Sequence, residues 1–290
     1  MVVANESAIF MNRGVIETIS VLGCGWLGLP LAEALPAKGF EVKGSVTAPE
    51  KHSLMRKMGI QPFRVIVKAD HIEVDDPCFF ETDLIILLIP PRRTDDVELR
   101  FPAQVGQVIR FLKEYAVPRV LFVSSTSVYP EIPRLMREED ATAPDKASGR
   151  ALIEAEKLLT GNQAFMTTVV RFGGLIGADR DPARFLTRQK EIADGSKPVN
   201  LIHRDDCIQI IMELVRQKVW GETFNACCPV HPTRREFYGK ASEISGIPAP
   251  VFKEGHSTFG KIVDSSKLTE RLNYSFIYKN PMDWLTEIIL

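Results

Sequence analysis

Apolar and polar positions follow two rhythms along the first part of the chain. From Val15 to about Val170, short apolar runs alternate with longer segments in which apolar residues recur every three or four positions. Short apolar runs are typical of buried parallel strands, and the longer segments are typical of amphipathic crossover helices. The pattern predicts strands at 17–22, 41–46, 62–67, 83–89, 119–124 and 166–171, and helices at 27–38, 50–58, 94–115 and 148–160. This order predicts an α/β fold, a Rossmann-type doubly wound parallel sheet.

The pattern changes beyond Phe172. Shorter segments interrupted by Gly and Pro replace the long helices, as in DGSKPVN and GIPAPVF. We therefore predict a nucleotide-binding domain at 14–172 and a smaller C-terminal substrate domain at 173–290. Late segments of such folds often return to the sheet, so this boundary is expected to shift by tens of residues.

A glycine-rich turn connects the first predicted strand to the first predicted helix. Gly23, Gly25 and Gly28 form a G-x-G-x-x-G pattern in the strand-turn-helix context that a dinucleotide requires. Gly23 allows the tight turn, Gly25 lets the backbone approach a pyrophosphate, and Gly28 lets the helix pack closely on the sheet. Trp26 and Leu27 lie at the helix start and are included in the predicted cofactor site.

The end of the second strand indicates which dinucleotide would bind. NAD-binding proteins place a carboxylate there to hold the ribose hydroxyls, whereas this chain has Ser45 and Thr47, with Lys51 one turn further on. Hydroxyl and basic groups suit a 2′-phosphate, which favours NADP over NAD. The alternative for Lys51 is an ordinary exposed helix lysine.

Composition and charge exclude several classes of protein. Hydrophobic residues make up 45% and the formal net charge is −1, which is typical of a folded protein without a nucleic-acid or membrane partner. The five cysteines lack zinc spacing, and their odd number argues against a disulfide framework, so no metal is expected. The longest apolar run is too short to span a membrane, and residues 1–13 do not look like a secretory signal. These features predict a cytoplasmic location.

The segment VLFVSSTSVY, Val120 to Tyr129, resembles the extended short-chain dehydrogenase/reductase superfamily, in its NAD-dependent epimerase/dehydratase group. Three later stretches follow in the same order as in that family: RFGGLIG from Arg171, NLIHRDD from Asn200 and TFNA from Thr223. The resemblance covers most of the chain from Ile19 onward. It implies a small-molecule substrate, and a homodimer formed through the helices predicted at 94–115 and 148–160.

The chain departs from this family at the catalytic helix. The family has Tyr-x-x-x-Lys, in which the lysine lowers the pKa of the tyrosine from the same helix face. Alignment on Glu156 puts Ser148 in place of the tyrosine and Leu152 in place of the lysine. Neither residue can do the original chemistry, so the chain resembles an atypical subgroup.

Four other residues are candidates to replace the missing pair. Ser125 ends a central strand, where such sheets bind ligands, or it only caps the turn. Lys146 and Arg150 face a shared cleft if both lie on the helix, or they are solvated charges. Tyr129 supplies a phenol near the same strand end, or it packs as a loop aromatic.

Several further positions were assigned by the same reasoning. Ile89, Pro90 and Pro91 follow the fourth strand beside the glycine turn and are predicted to line the cofactor site. Asp205 and Asp206 are predicted to cap a helix at 207–217, with His203 as a structural hydrogen-bonding residue. Arg171 points into the cleft or ties down the domain junction. The vicinal Cys227 and Cys228 are predicted to be buried apolar residues.

Two functions remain open from the sequence. The first is an NAD(P)-dependent, epimerase/dehydratase-like oxidoreductase that acts on a sugar nucleotide or another small carbonyl or hydroxyl compound. The alternative is a non-catalytic NAD(P)-binding sensor, because the usual Tyr and Lys are missing while the glycine turn is intact.

Overall fold

The structure is a computed structural model that describes residues 15–177, 180, 182, 191–253 and 260–287. Residues 1–13, on which the prediction about a secretory signal depends, lie outside the described residues. Within the described part, no helix is both long and apolar enough to cross a membrane.

The described elements alternate between strands and helices up to residue 172. The strands are β1 Thr18–Leu22, β2 Glu41–Val46, β3 Ile60–Val67, β4 Ile72–Val74, β5 Leu84–Leu87, β6 Arg119–Ser125, β7 Leu135–Met136, β8 Met166–Phe172, β9 Gly174–Ile176, β10 Glu191–Ala193, β11 Leu201–His203, β12 Thr223–Ala226, β13 Val251–Lys253 and β14 Ile262–Val263. The α-helices are α1 Gly28–Ala34, α2 His52–Lys57, α3 Val97–Glu114, α4 Ala147–Thr160, α5 Arg204–Arg216, α6 Arg234–Ile244, α7 Ser266–Leu272 and α8 Pro281–Glu287.

The main sheet has eight strands in the order β12-β8-β6-β5-β1-β2-β3-β4. The pairs β1–β2, β1–β5, β2–β3, β5–β6 and β8–β12 are parallel, and β4 joins the β3 edge antiparallel. The chain builds outward from β1 to β3 and then returns to the other side of β1 with β5. This reversal creates the topological switch point at which doubly wound sheets bind ligands. The predicted fold class is confirmed.

The central strands are buried because their side chains are apolar on both faces. All four residues of β5, Leu84 to Leu87, are fully buried, as are Ile19 and Val21 of β1. Such continuous apolar runs are expected of parallel strands with helices on both sides.

Two predicted elements differ from the structure for reasons of proline chemistry. The helix predicted at 27–38 ends at Ala34 and continues as a 3-10 turn at Pro36–Lys38, because Pro36 has no amide hydrogen for the helix. The strand predicted to begin at Pro62 begins at Ile60. Pro62 is tolerated as its third residue because β4 pairs only with positions 65–67, so β3 has one paired neighbour there.

The start of α5 corrects the predicted cap. The helix begins at Arg204, so Asp205 and Asp206 lie in its first turn, and His203 is the capping residue: its Nδ1 accepts the amide hydrogen of Asp205 at 3.2 Å. The prediction that His203 is a structural hydrogen-bonding residue agrees with this contact. Asp206 is fully buried and accepts hydrogen bonds from the Tyr274 hydroxyl and the Ile277 amide, both at 2.7 Å.

The chain divides into two compact units. The first contains the described residues up to Val123 together with Glu154–Thr168, and the second contains Ser124–Ile153 and the described residues from Val169 onward. The second unit has three small parallel pairs, β9–β11, β7–β14 and β10–β13, and a core around Ile176, Phe237 and Trp284. The domain boundary predicted at 172 and 173 stays a prediction.

Candidate functional site

The three glycines of the turn after β1 have three different surroundings. Gly23 has φ of +110°, which side chains rarely adopt, and a Cβ there would lie 3.2 Å from the carbonyl oxygen of Leu88. A Cβ on Gly28 would lie 2.1 Å from the carbonyl oxygen of Gly23, so only glycine lets α1 start this close. A Cβ on Gly25 would meet nothing within 4 Å. Gly25 therefore faces open space.

Ser45 holds this turn to the neighbouring strand. Its Oγ accepts the amide hydrogen of Gly23 at 3.0 Å, and its carbonyl oxygen accepts that of Cys24 at 2.7 Å. Its side chain is 1% exposed. The serine that the sequence predicts as a phosphate ligand therefore supports the turn from beneath, while Thr47 and Lys51 are exposed. Burial raises the pKa of the neighbouring Cys24 thiol to about 12, so this thiol is protonated at neutral pH.

A cavity of about 690 Å³ lies at this turn, entirely within the first unit. Seven of the predicted cofactor residues line it: Gly23, Gly25, Ser45, Thr47, Lys51, Ile89 and Pro90. Trp26, Leu27, Gly28 and Pro91 stand outside the described residues that line it. The structure thus brings the glycine turn and the ends of β2 and β5 to one cavity.

The charge of the cavity is mainly positive. Its described lining includes the cations Lys51, Lys68, Arg92 and Arg100 and one carboxylate, Glu50. Lys68 is also paired with Glu73. An excess of cations at the carboxyl edge of a parallel sheet suits a ligand with several phosphates.

Three polar lining residues that sequence reasoning missed come from the end of β3 and from α3. Lys68 directly follows β3, and Arg100 and Gln104 come from α3; the Nε2 of Gln104 donates to the carbonyl oxygen of Val67 at 2.6 Å. Lys68 was open to prediction, because the residues after adjacent parallel strands meet at one edge. Arg100 and Gln104 had no signal of this kind, since helix periodicity does not reveal which turn faces a cavity.

A second group of predicted residues lies in the second unit, around the turn after β6. Ser125 is half-buried, and its Oγ accepts the amide hydrogen of Ser127 at 3.2 Å, which is the capping role considered from the sequence. Helix α4 packs tightly on this turn, because a Cβ on Gly149 would lie 2.2 Å from the carbonyl oxygen of Ser127. Ser148 is half-buried in the first turn of α4, and Leu152 is buried.

Tyr129 is buried in a polar network. Its hydroxyl donates to Oδ1 of Asn225 at 2.5 Å and accepts from Nη1 of Arg171 at 2.8 Å. Arg171 also donates to the carbonyl oxygen of Glu138 at 2.7 Å. Burial raises the pKa of Tyr129 to about 12, against the opposing effect of Arg171. These contacts favour a structural role for Tyr129, and they make Arg171 a residue that ties the strand end down.

Lys146 and Arg150 have different surroundings. Lys146 is exposed and precedes α4, and the Nη1 of Arg150 donates to the carbonyl oxygens of Pro144 and Asp145 at 3.2 and 3.0 Å. These hydrogen bonds of Arg150 are therefore to the segment before the helix, whereas those of Tyr129 are to Asn225 and Arg171. This favours the interpretation of Lys146 and Arg150 as charges at the helix start.

The cysteines and possible metal ligands add no chemistry to either group. Cys227 and Cys228 are buried and free, as predicted, and burial raises the pKa of Cys228 to about 12. Within the described residues, no group of His, Cys, Asp and Glu could hold a metal ion.

Comparison with known proteins assigns the chain to a family. It is 31% identical over 270 residues to Protein YeeZ of Escherichia coli K12, covering 92% of this chain and 98% of that protein. The chain belongs to the YeeZ family. No protein-family model matches this YeeZ family member.

Solved structures show the same fold at low sequence identity. The YeeZ family chain superposes on a UDP-glucuronic acid 4-epimerase from Bacillus cereus in complex with NAD, with a TM-score of 0.75, 18% identity, and coverage of 94% of this chain and 100% of that one. It also superposes on a UDP-glucose 4-epimerase with UDP-glucose from Thermotoga maritima, with a TM-score of 0.72, 17% identity and the same coverage. The YeeZ family chain therefore has the Rossmann-type fold of sugar-nucleotide epimerases.

Proposed function

We propose that this YeeZ family member binds NADP or NAD at its glycine turn and is an epimerase/dehydratase-like oxidoreductase of the atypical extended short-chain type. Its substrate would be a sugar nucleotide or another small carbonyl or hydroxyl compound. The observation that most supports this is Gly25, which opens onto a cavity of about 690 Å³ at the switch point of the sheet. The epimerase neighbours, whose structures contain NAD or UDP-glucose, share this fold.

The residues present fit a dinucleotide. The backbone at Gly25 is open to the cavity, and the cations Lys51, Lys68, Arg92 and Arg100 in the cavity lining suit the negative charge of a pyrophosphate. A bound NADP or NAD would supply hydride chemistry, because its nicotinamide ring accepts a hydride from a substrate or donates one to it. The chain would bind and orient the cofactor through the glycine turn, Ile89 and Pro90, while Ser125 and Ser148 would offer hydroxyls to a substrate oxygen.

NADP is the preferred cofactor in this proposal. The end of β2 offers Thr47 and Lys51, both exposed, where an NAD site would have a carboxylate. Lys68 and Arg100 line the same cavity and add positive charge. Glu50 is the opposing feature, and Ser45 is left out of the 2′-phosphate site because it is buried under the turn.

A fluorescence titration with NADPH and NADH tests the cofactor proposal. We expect saturable binding of NADPH, and a loss of at least tenfold in affinity for Gly25→Leu, whose side chain would fill open space in the cavity. Gly106→Leu is the matched control, because a Cβ there also meets nothing within 4 Å but Gly106 lies outside the cavity lining. Wild-type protein that binds neither nucleotide would remove the proposal.

Lys51→Glu tests the preference for NADP. We expect NADPH to bind at least tenfold more weakly, about 1.4 kcal/mol, because a carboxylate would repel the 2′-phosphate. NADH, which lacks that phosphate, should change less than threefold. Lys57→Glu makes the same charge change at an exposed position outside the lining and should leave both affinities unchanged. Equal losses for NADPH and NADH would contradict the assignment of Lys51.

The alternative function, a non-catalytic NAD(P)-binding sensor, has its own support. Leu152 is buried where the extended short-chain dehydrogenases have their lysine, and the hydroxyl of Tyr129 is hydrogen-bonded to Asn225. The two functions differ in turnover. In NADP⁺-loaded protein mixed with UDP-glucose or UDP-glucuronic acid, NADPH fluorescence should rise transiently if hydride moves to the cofactor. Because an epimerase returns that hydride to the sugar, chromatography of the sugar nucleotides measures steady turnover, which would dispose of the sensor. Replacement of Lys146, Arg150 or Tyr129 then tests whether these residues take over the chemistry of the missing Tyr-x-x-x-Lys pair.

A homodimer through α3 and α4 is part of the proposal, and light scattering would test it.

A further inference from the structure

A buried lysine from the C-terminal part of the chain holds the turn that carries Ser125. The Nζ of Lys261 donates to the carbonyl oxygens of Thr126 at 3.1 Å and Tyr129 at 3.0 Å, and it lies 2.8 Å from Oε1 of Glu131. An ammonium group has three hydrogens, so these three acceptors engage all of them. The Lys261 side chain is 9% exposed, and the Glu131 side chain is 38% exposed.

The backbone of Lys261 is itself fixed. The Nδ2 of Asn200 donates to the carbonyl oxygen of Lys261 at 2.9 Å, and Oδ1 of Asn200 accepts the amide hydrogen of Val263 at 2.8 Å. The amide of Asp264 donates to the carbonyl oxygen of Met136 at 2.9 Å. The ammonium group is therefore presented from a segment that is held on both sides.

Helix α4 also contacts the turn that Lys261 binds. The 3-10 turn Thr126–Val128 directly follows β6, and the carbonyl oxygen of Ser127 packs against Gly149. The amide of Glu131 also donates to Oδ2 of Asp145 at 2.6 Å. Ser125, Ser127 and Ser148 are thus set by contacts that converge on one short turn.

Burial of an ammonium group is unfavourable unless its charge and its hydrogens are satisfied. An apolar side chain would fill the same space without that cost. It would also leave the carbonyl oxygens of Thr126 and Tyr129 without their donor. A lysine here therefore does something that packing alone does not require.

We propose that Lys261 is a positioning residue, whose ammonium group fixes the turn Thr126–Val128 and with it the hydroxyl of Ser125. The inference rests on the proposed function only in taking Ser125 as a site residue. Lys261 acts through the turn and is not assigned any contact with substrate or cofactor.

Peptide-resolved hydrogen exchange of the full chain tests this proposal. In Lys261→Met we expect exchange in the peptide covering 124–131 to be at least tenfold faster, with peptides of the first unit unchanged. Glu131→Gln keeps both carbonyl contacts of Lys261 and should change exchange less than threefold. Lys267→Met is the matched control, because Lys267 also donates to a backbone carbonyl oxygen, that of Thr223 at 2.8 Å, but is more exposed.

A thiol at the site itself gives a second readout. In Ser125→Cys, the rate of alkylation of Cys at position 125 by iodoacetamide, mapped by mass spectrometry, reports on the position of this side chain. We expect Lys261→Met to change that rate at least fivefold, and Lys267→Met to leave it unchanged. Four of the native cysteines are buried, so they react slowly.

Three results would overturn the proposal. They are unchanged exchange and alkylation in Lys261→Met, an equal change in Lys267→Met, and, where Lys261→Met does not fold, wild-type exchange in Lys261→Arg. The hydrogens of a guanidinium lie in one plane on separate nitrogens, so they do not match three acceptors arranged around a single ammonium nitrogen. We therefore expect the peptide covering 124–131 to exchange at least threefold faster in Lys261→Arg. Titration of the wild type and of each variant with NADPH distinguishes failure of this proposal from failure of the proposed function. If the wild type does not bind NADPH, the proposed function is wrong, but the hydrogen-exchange result still tests the role of Lys261.

Discussion

The three glycines of the turn after β1 differ in what a Cβ on each of them would contact. At Gly23 the backbone angle excludes most side chains, at Gly28 the neighbouring backbone leaves no room, and at Gly25 there is space. The G-x-G-x-x-G spacing predicted the tight turn at Gly23 and the close packing at Gly28, and the approach of a pyrophosphate to Gly25 stays a prediction. Gly149 carried no such signal, because its close contact with Ser127 depends on how α4 meets the turn after β6.

Gly28→Ala should be strongly destabilising. The added Cβ would lie 2.1 Å from a backbone oxygen that cannot move without opening the turn, so we expect a loss of about 2–4 kcal/mol in the free energy of unfolding. Gly106→Ala, in the interior of α3 with nothing within 4 Å of the new Cβ, should be neutral or stabilising by up to about 1 kcal/mol. Urea unfolding measures both, and equal losses would contradict this account.

Tyr129→Phe should weaken the second unit and leave the cavity at the glycine turn unchanged. It removes the hydroxyl between Asn225 and Arg171 and leaves two buried polar groups without that partner, which costs about 1–3 kcal/mol. Tyr115→Phe is the control, since Tyr115 packs by its ring face against Phe111 and phenylalanine keeps that contact. Denaturant unfolding together with NADPH titration would decide, and a large loss of NADPH affinity would argue against this separation.

At the scale of elements, the start of α5 shows how a cap can be misassigned. Two aspartates after an apolar pair match the usual capping residues. The strand β11 extends through His203, however, and a neutral imidazole nitrogen can also accept a hydrogen bond. Asp206 is drawn away to the segment at Tyr274–Tyr278, where it binds backbone amides. The sequence pattern therefore predicted the helix correctly and its capping residue incorrectly.

The cap makes stability depend on pH. Burial lowers the pKa of His203 in the folded protein, and its capping nitrogen must be neutral to accept. The unfolded chain therefore binds more protons below about pH 6.5, and stability is full above that value and falls as the pH decreases. His231 has a lowered pKa for the same reason and acts with the same sign, while Asp206, whose pKa is raised by burial, opposes it.

His203→Asn tests this pH dependence. Asparagine keeps a capping acceptor but does not titrate, so the loss of stability between pH 7 and pH 5.5 should be smaller than in the wild type. Urea unfolding at several pH values gives the slopes, and an unchanged slope in His203→Asn would exclude His203 as the source.

The predictability of the elements follows from their length. Strands such as β2 and β6 and helices such as α3 and α4 were predicted to within a few residues, because four or more residues reveal a hydrophobic period. The two- and three-residue strands of the second unit such as β7 and β10 carry no period and were missed. The contacts of Lys261 with the turn after β6 were missed for a related reason, since Thr126 and Tyr129 lie more than 130 residues earlier in the chain.

At the scale of the whole molecule, the cavity and the Tyr129 network belong to different units. Every described residue lining the cavity lies in the first unit, and Tyr129, Arg171 and Asn225 lie in the second. A ligand that binds in the cavity should therefore stabilise the first unit directly.

NADPH should stabilise the protein by mass action. At a hundred times its Kd, a ligand that binds only the folded state adds about 2.7 kcal/mol, which raises the Tm by a few degrees for a chain of this size. If the units unfold separately, only one of two thermal transitions should move. Gly25→Leu should abolish the shift, and calorimetry with and without NADPH measures it. An equal shift in Gly25→Leu would place the ligand elsewhere.

The reach of Lys261 also sets an order of events during synthesis. Thr126 leaves the ribosome 135 residues before its ammonium partner does, which is roughly 7 to 27 seconds at about 5–20 residues per second. The glycine turn has all of its neighbours long before that moment, since Ser45 and Leu88 are made early. A nascent chain can therefore complete the cavity at the glycine turn first, while the turn after Ser125 waits for the C-terminal part of the chain.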